Sequence, residues 1–188
     1  MPKFAKRSAT NEVKSRTTGP ARRGILAGLV ATAVLTTVLA ATAPAAHAEE
    51  DVRLSAGNSS LYIDVPGGST SPGTGIIQWY ANSGQNQLWT VPEANYAGFV
   101  SNANSGLCIA TDGVAGDQLT QQYCNRNDPH QIWAQFSWSN WFNTYQWFQN
   151  PVTGLVFDIY GSSQWAGAPL DAWYPNGGAN QSFVAYGY

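Results

Sequence analysis

The chain contains Asn86–Trp89, with the sequence NQLW, and repeats this stretch twice, as His130–Trp133 (HQIW) and Asn180–Phe183 (NQSF). Another aromatic residue stands ten positions before each closing aromatic, and a short apolar run behind Gly or Ser precedes it in turn. These earlier aromatics are Trp79, Tyr123 and Trp173. The chain therefore holds three copies of one unit, which run approximately over residues 51–93, 96–136 and 145–188.

The three units predict an all-β domain. No segment after residue 48 shows sustained helical periodicity, and short apolar runs alternate with turn clusters rich in Gly, Pro, Asn and Ser. Repeats of about 45 residues that hold only short strands cannot bury an apolar face alone, so they share a core with their copies. Three units that close on each other predict a pseudo-three-fold barrel, because a propeller ring needs roughly 4 to 8 blades.

The first 48 residues have the features of an export signal. A basic segment precedes an uncharged run over residues 24–46, and small residues, Ala46 and Ala48, occupy both positions that a signal peptidase recognises. The alternative, an uncleaved membrane anchor, requires ~20 apolar residues, whereas this run is rich in Ala and Thr and ends near Pro44. We therefore expect residues 1–48 to be a cleaved signal peptide and residues 49–188 to form one secreted domain. The sequence does not distinguish export by the Sec route from export by the twin-arginine route.

Removal of this leader leaves a strongly acidic domain. Seven of the nine basic residues lie in residues 1–48, so that only Arg53 and Arg126 face ten acidic residues in 49–188. A domain without lysine has little positive charge to neutralise phosphates. Nucleic acids and anionic membrane surfaces are therefore not expected as partners.

The two cysteines, Cys108 and Cys124, both lie in the exported part and in the middle unit. An oxidising destination favours a disulfide, and closing a loop of roughly 15 residues contributes about 3 kcal/mol in the chain-entropy model. A zinc site lacks the further His and Cys ligands that it needs. We predict a Cys108–Cys124 disulfide and no metal.

The repeated Gln-x-Trp motif, together with Gly-Leu-Cys-Ile at 106–109 and a second Cys just after an aromatic, resembles the ricin B-type lectin domain. The resemblance covers residues 49–188 and implies a β-trefoil fold. It also implies that the motif Gln and aromatic are mainly structural, with the aromatic filling the shared core. The third copy departs from the motif because Phe183 replaces Trp.

The same resemblance implies two sugar sites, each made of an Asp after the first apolar run, an aromatic platform and the Asn before the motif Gln. The matching residues, with the motif Gln in support, are Asp64, Trp79, Asn86 and Gln87 in the first unit and Asp158, Trp173, Asn180 and Gln181 in the third. In the second unit Ala110 and His130 replace the Asp and the Asn, while Tyr123 would keep the platform. We expect the second site to be silent or weakened, unless Asp112 swings inward to substitute.

These residue types suit a sugar. A flat indole covers the apolar C–H face of a pyranose, while a carboxylate and an amide read vicinal hydroxyls through hydrogen bonds. Taken singly, the Asp residues could be turn formers and the Trp residues could be core. The set occurs together in two units and fails together in the third, which favours a shared function.

The sequence thus predicts a secreted, non-catalytic lectin that needs no metal or cofactor. The residues do not specify the sugar, but the resemblance to ricin B-type lectins implies a galactose-type glycan or a xylan-like polysaccharide, and Asp171 is a neighbour that could tune the preferred sugar. Glycosidases place two carboxylates across one bond, whereas the predicted site carboxylates lie in separate units. A β-trefoil protease inhibitor or protein-interaction module stays open as the alternative, since a fold does not fix a function. Two hypotheses concern other residues: that Trp165 forms the rim of the third site, and that residues 137–144 form a hairpin with Trp138 and Trp141 packed on the barrel end.

Overall fold

A computed structural model describes residues 50–187. The predicted signal peptide, residues 1–48, lies outside them, as do Glu49 and Tyr188. Within the described part, no helix is long and apolar enough to cross a bilayer.

Short antiparallel strands and single turns of 3₁₀ helix make up the fold, as the turn-rich sequence predicts. The thirteen strands of residues 50–187 are β1 (Glu50–Ala56), β2 (Tyr62–Asp64), β3 (Ile77–Trp79), β4 (Trp89–Val91), β5 (Ala97–Gly98), β6 (Ser101–Asn102), β7 (Cys108–Ala110), β8 (Thr120–Gln122), β9 (Trp133–Ser139), β10 (Thr144–Gln149), β11 (Val156–Ile159), β12 (Leu170–Trp173) and β13 (Phe183–Gly187). The 3₁₀ turns are Pro66–Gly68, Gln85–Gln87, Pro129–Gln131, Tyr160–Ser162 and Ala179–Gln181. The main path of the sheet runs β12-β11-β10-β13-β1-β4-β6-β7-β8. Off this path, β2 pairs with β1 and β3 with β2, while β9 pairs with β10 and β5 with β9.

A ring of backbone hydrogen bonds marks the pseudo-three-fold axis. Ile76 N donates to Leu119 O (2.9 Å), Leu119 N donates to Leu170 O (2.9 Å) and Leu170 N donates to Ile76 O (3.0 Å). All three side chains are fully buried. One residue from each unit closes the ring, so the units share a single core and the predicted β-trefoil is confirmed.

The closing aromatics of the three motifs fill this core. Trp89, Trp133 and Phe183 are fully buried. Each indole also satisfies its N–H, because Trp89 Nε1 donates to Ile63 O (3.0 Å) and Trp133 Nε1 donates to Ile109 O (2.9 Å). The structural role predicted for the motif aromatic is therefore confirmed.

The exception at Phe183 has a packing explanation. Phe157 stands at the position that Ile63 and Ile109 occupy in the other units, and its ring lies 6.3 Å from that of Phe183, centroid to centroid. The larger neighbour occupies space that an indole would otherwise fill, which keeps the interior dense. A smaller aromatic in the third motif is thus compatible with the same core.

The predicted disulfide is present. Cys108 in β7 is bonded to Cys124, which follows β8, with their Cα atoms 5.1 Å apart. The bond joins β7 to the segment that follows β8 in the middle unit.

The hairpin between the second and third units is present, but one of its two tryptophans does not pack as predicted. β9 and β10 pair as far as Ser139 and Thr144, which carries the tip away from the barrel. Trp138 stacks on Tyr145 with ring centroids 4.5 Å apart. Trp141, at the tip, is 98% exposed, so its predicted packing on the barrel end is wrong.

Candidate functional site

The first unit contains an open pocket of about 500 Å³ that includes three of its four predicted site residues. Its lining residues are Asp64, Pro66, Gly67, Gly68, Ile77, Trp79, Asn82 and Asn86. Strand alternation explains the arrangement: Tyr62 pairs with Trp79 and Asp64 pairs with Ile77, which places these side chains on one face of the β2–β3 pair. The 3₁₀ turn Gln85–Gln87 then brings Asn86 to the same face.

Three amides hold the Asp64 carboxylate in this pocket. Its Oδ2 accepts from Gln87 Nε2 (2.7 Å), Asn86 Nδ2 (2.9 Å) and Asn82 Nδ2 (3.2 Å). Burial raises the pKa of Asp64 above its usual value, and the same three hydrogen bonds act in the opposite direction. All three donors bind one oxygen, which fixes the carboxylate while leaving Oδ1 as an acceptor for a ligand.

Trp79 provides an accessible flat surface beside this carboxylate. Its side chain is 42% exposed, which rules out a purely interior role. Its ring packs edge-on against Tyr80 at 5.9 Å between centroids. On another side lies Gly167 of the third unit, where an added Cβ would sit 3.5 Å from Trp79 Cζ3. The indole therefore contacts Tyr80 and the segment of Gly167, while part of its surface stays accessible to a ligand.

The third unit builds a matching pocket of about 380 Å³. Its lining residues are Asp158, Tyr160, Gly161, Ser162, Trp173, Asn176 and Asn180. Asp158 Oδ1 accepts from Asn180 Nδ2 (2.7 Å) and Gln181 Nε2 (2.8 Å). Trp173 is 41% exposed, close to the value for its counterpart. The sequence set predicted for the third unit is thus brought together in the same way.

Gln87 and Gln181 are buried behind the pockets and line neither of them. Besides its bond to the site carboxylate, each Nε2 donates to a backbone carbonyl, that of Tyr80 (2.8 Å) or that of Tyr174 (2.9 Å). Each Oε1 accepts a backbone N–H five residues earlier in the chain. Gln87 and Gln181 therefore orient the site carboxylates and fix the loops that precede the two motifs.

Asn82 and Asn176 line the pockets and were missed by the sequence analysis. Each stands five residues before the motif Gln and donates its backbone N–H to that Gln. Each side-chain oxygen accepts from a glycine two residues on, at 2.7 Å in both cases. The identical spacing in the first and third units was the available signal.

The two pockets differ at one register position. Asp171 pairs with Asp158 across β11 and β12, whereas Ile77 pairs with Asp64. Burial, followed by the charge of Asp158, raises the pKa of Asp171 to about 7. Burial likewise raises the pKa of Asp158, while hydrogen bonds from Gln181, Asp171 and Asn180 lower it. In the third pocket, therefore, the carboxyl groups of Asp158 and Asp171 lie opposite each other. In the first pocket, the carboxyl group of Asp64 lies opposite the hydrocarbon side chain of Ile77.

The middle unit has lost more of the arrangement than the sequence indicated. Gln122 pairs with Cys108, at the register position that Trp79 and Trp173 occupy, and Tyr123 is one residue further on. The Tyr123 carbonyl accepts from Gln131 Nε2 (3.1 Å), as the carbonyls of the tyrosines that follow Trp79 and Trp173 accept from theirs. The prediction that Tyr123 keeps the platform is therefore wrong.

Loop length explains this misalignment. Thirteen residues separate the paired Asp64 and Ile77, but only ten separate Ala110 and Thr120. The segment after β8 is one residue longer than the segment after β3. Gln131 follows its carbonyl acceptor by eight residues, whereas Gln87 follows its acceptor by seven. The two changes partly cancel in the sequence and hide the shift.

Asp112 does not substitute for the missing carboxylate. It is exposed, and its Oδ1 accepts from Val114 N (2.9 Å) within its own loop. The middle unit thus has Ala110, Gln122 and His130 at the three positions where its neighbours have Asp, Trp and Asn.

The hypothesis that Trp165 forms the rim of the third pocket is wrong. Trp165 is not among the residues that line that pocket. Its carbonyl accepts from Gln78 Nε2 (2.9 Å), and Gly167 N donates to Gln78 O (2.8 Å). The loop is therefore clamped to the first unit, on the side where Gly167 braces Trp79.

The described residues show no cation site. No three His, Cys, Asp or Glu side chains in residues 50–187 converge in a way that could hold a metal ion. The chemistry that these pockets offer is hydrogen bonding by a fixed carboxylate and amides, next to an accessible aromatic face.

Comparison with known proteins agrees with this architecture. The family model described as "Ricin-type beta-trefoil lectin domain" matches residues 50–183. No curated protein sequence matches the chain.

Three solved structures show the same fold. A designed three-fold symmetric protein, ThreeFoil, aligns with a TM-score of 0.66 and 22% identity over 73% of this chain and 99% of its own. The C-half of an earthworm R-type lectin in complex with GalNAc aligns at 0.59 and 23% over 74% of this chain and 99% of its own. An exo-β-1,3-galactanase from Clostridium thermocellum aligns at 0.64 and 24% over 74% of this chain but only 30% of its own. A three-fold repeat, a shared β-trefoil core and a family match across almost all of the described residues agree with one another, and the chain belongs to the ricin-type β-trefoil lectin domain family, whose members bind carbohydrate.

Proposed function

We propose that this protein is a secreted, non-catalytic lectin whose first and third pockets each bind a sugar of a galactose-type glycan or a xylan-like polysaccharide. The observation that carries the proposal is the repeated geometry. A buried carboxylate held by amides stands next to a roughly 40%-exposed indole in two units, and the equivalent positions of the middle unit hold neither the carboxylate nor the indole.

The pocket chemistry matches a neutral pyranose. Asp64 and Asp158 accept hydrogen bonds from hydroxyl groups, and charge-assisted bonds of this kind are stronger than neutral ones. Asn82 and Asn176 add amide groups at the pocket wall, while Trp79 and Trp173 cover the apolar face of the ring. No cation is needed for any of these contacts, so we expect binding to persist in a chelator.

The class of sugar is inferred from the neighbours. The earthworm lectin contains GalNAc, and the Clostridium enzyme is a galactanase that carries a domain of this fold. These likenesses support a galactose-type ligand, and a xylan-like chain is the other candidate. Two weak sites on one rigid body favour a repetitive ligand, because the second binding event is intramolecular.

The carboxylate geometry supports a binding role without catalysis. A glycosidase needs two carboxyl groups at least ~5 Å apart on either side of the scissile bond. Asp158 and Asp171 instead lie directly opposite each other on neighbouring strands. Such a pair stands on one side of a ligand and does not bracket a bond.

The proposal is tested with a glycan array on residues 49–188 and on the double variant Trp79→Ala/Trp173→Ala. The wild-type domain is expected to bind galactose-type or xylan-type glycans, and the double variant to lose detectable binding because both platforms are gone. Tyr123→Ala is the matched control, since this side chain is 73% exposed in the middle unit and is expected to leave binding unchanged. Binding by the double variant at the wild-type level contradicts the proposal.

A further inference from the structure

The carboxyl group of Asp171 is buried beside the third pocket, and one of its two oxygens, Oδ1, lacks a hydrogen-bond donor. Its side chain is 2% exposed, and its Oδ1 accepts no hydrogen bond from any N–H or hydroxyl group. An ionised carboxylate left in this state is unfavourable, because a buried charge needs partners. A protonated carboxyl removes the difficulty, since its O–H becomes a donor.

The acceptor for this proton lies directly across the sheet. Asp158 is the cross-strand partner of Asp171, and residues directly opposite in an antiparallel pair are about 4.5–5.5 Å apart at Cβ. Asp158 Oδ1 is already occupied by Asn180 and Gln181. A proton on Asp171 therefore completes a set of three donors around Asp158, comparable to the three amides around Asp64.

The surroundings offer no positive charge to either carboxyl. Facing the pair are the amides of Asn180 and Gln181, and on the third side lies the loop of the second unit, where Gln118 forms a bridge with Asp171. The charged groups of that loop, Asp112 and Asp117, are both acidic. The two basic residues of the described part are elsewhere: Arg53 donates to Gly84 O in the first unit and Arg126 lies over the Phe99 ring.

We infer that Asp171 is a positioning residue of the third pocket: its protonated carboxyl donates to the Asp158 carboxylate, and sugar binding in this pocket, unlike that in the first, weakens when Asp171 ionises. Loss of the proton removes one of three donors and places two negative charges side by side, which drives Asp158 from its position. Ile77 occupies the corresponding position in the first pocket, and an isoleucine cannot titrate. The inference rests on the proposed function of both pockets as sugar sites.

The test isolates each pocket in the same domain. Trp79→Ala leaves the third pocket as the binding site and Trp173→Ala leaves the first, and N-acetylgalactosamine binding to each is titrated calorimetrically at pH 6, 7 and 8. With a pKa of about 7, only about a tenth of Asp171 stays protonated at pH 8. Affinity of the third pocket is therefore expected to fall about tenfold between pH 6 and pH 8, and affinity of the first pocket to stay constant.

Asp171→Asn in the Trp79→Ala background separates this role from a general structural one. A carboxamide keeps a donor for Asp158 and does not titrate, so it is expected to preserve binding at pH 6 and to abolish the loss at pH 8. Carbon-13 NMR of the free domain supplies a readout without sugar: the Asp171 carboxyl is expected to titrate near neutral pH.

The outcomes distinguish the inference from the function on which it rests. Binding at both pockets with the same pH profile, or an Asp171 carboxyl that titrates in the usual aspartate range, overturns the inference alone. Failure of both pockets to bind either N-acetylgalactosamine or a xylo-oligosaccharide overturns the proposed function and the inference together.

Discussion

Replacement of Trp133 by alanine is expected to lower the free energy of unfolding by about 3–5 kcal/mol, the range for truncation of a buried large aromatic. The indole is fully buried, and its ring lies 4.4 Å from that of Phe157, centroid to centroid. Alanine leaves a cavity and also removes the donor to Ile109 O. The loss is large because the core is shared, so a defect in one unit weakens the packing of the other two.

Urea denaturation followed by circular dichroism measures this loss. Trp141→Ala is the matched control, because the side chain is 98% exposed at the hairpin tip and its removal is expected to change stability by less than about 0.5 kcal/mol. Equal, small effects of the two substitutions would show that the motif aromatic is not part of a common core.

The second large effect concerns Asp171 and pH. A carboxyl whose pKa is 3.8 when unfolded and about 7 when folded binds its proton more tightly in the folded state. The protonated carboxyl contributes its full stabilisation below pH 4. This stabilisation is lost as the pH rises from 4 to 7, because over that range the unfolded state releases its proton while the folded state still holds it. A shift of about three pKa units corresponds to a loss on the order of 4 kcal/mol.

Asp171→Asn removes this titration. The free energy of unfolding of the variant, relative to that of the wild-type domain, is therefore expected to rise by on the order of 4 kcal/mol between pH 4 and pH 8. The measurement is the free energy of unfolding of both proteins at half-unit steps across that range. Subtracting the two curves cancels the titration of Asp64, which lies in the other pocket, and leaves the titration of the Asp158–Asp171 pair. A constant difference between Asp171→Asn and wild type across the range would contradict a carboxyl pair that shares a proton.

The fold was predictable because the repeated motif encodes both the core and its symmetry. Trp89, Trp133 and Phe183 mark one core position in each unit, and the structure places all three in the shared interior. The disulfide was predictable for a different reason, since a chain with two cysteines has one possible intramolecular pairing.

The components of the pockets were partly predictable. Asp64 and Asp158, with their asparagines and tryptophans, recur at equal spacing, and the spacing is kept because equal loops carry them. The middle unit does not keep this spacing. Its loop before β8 is shorter and its loop after β8 is longer, so Gln122 takes the platform position, and this change is visible only in the strand register.

Contacts that depend on strand pairing and on the path of the loops could not be predicted from the repeat pattern. The loop of Trp165 is clamped by Gln78 of another unit, and Asp171 meets Asp158 only through the pairing of β11 and β12. Trp141 illustrates the opposite case, because a long hairpin can carry an apolar side chain away from the barrel altogether. Such arrangements depend on register and loop path, which alignment of the units does not specify.

We propose that two pockets, in the first and third units, bind sugar and that the middle unit does not. The decisive measurement is calorimetric titration of residues 49–188 at pH 6 with N-acetylgalactosamine, with the fold of each variant checked by circular dichroism. We expect two sites per chain in the wild-type domain, one in Asp64→Ala, one in Asp158→Ala, and none in the double variant. Undiminished binding by a folded double variant, or a site that survives there in the middle unit, would contradict it.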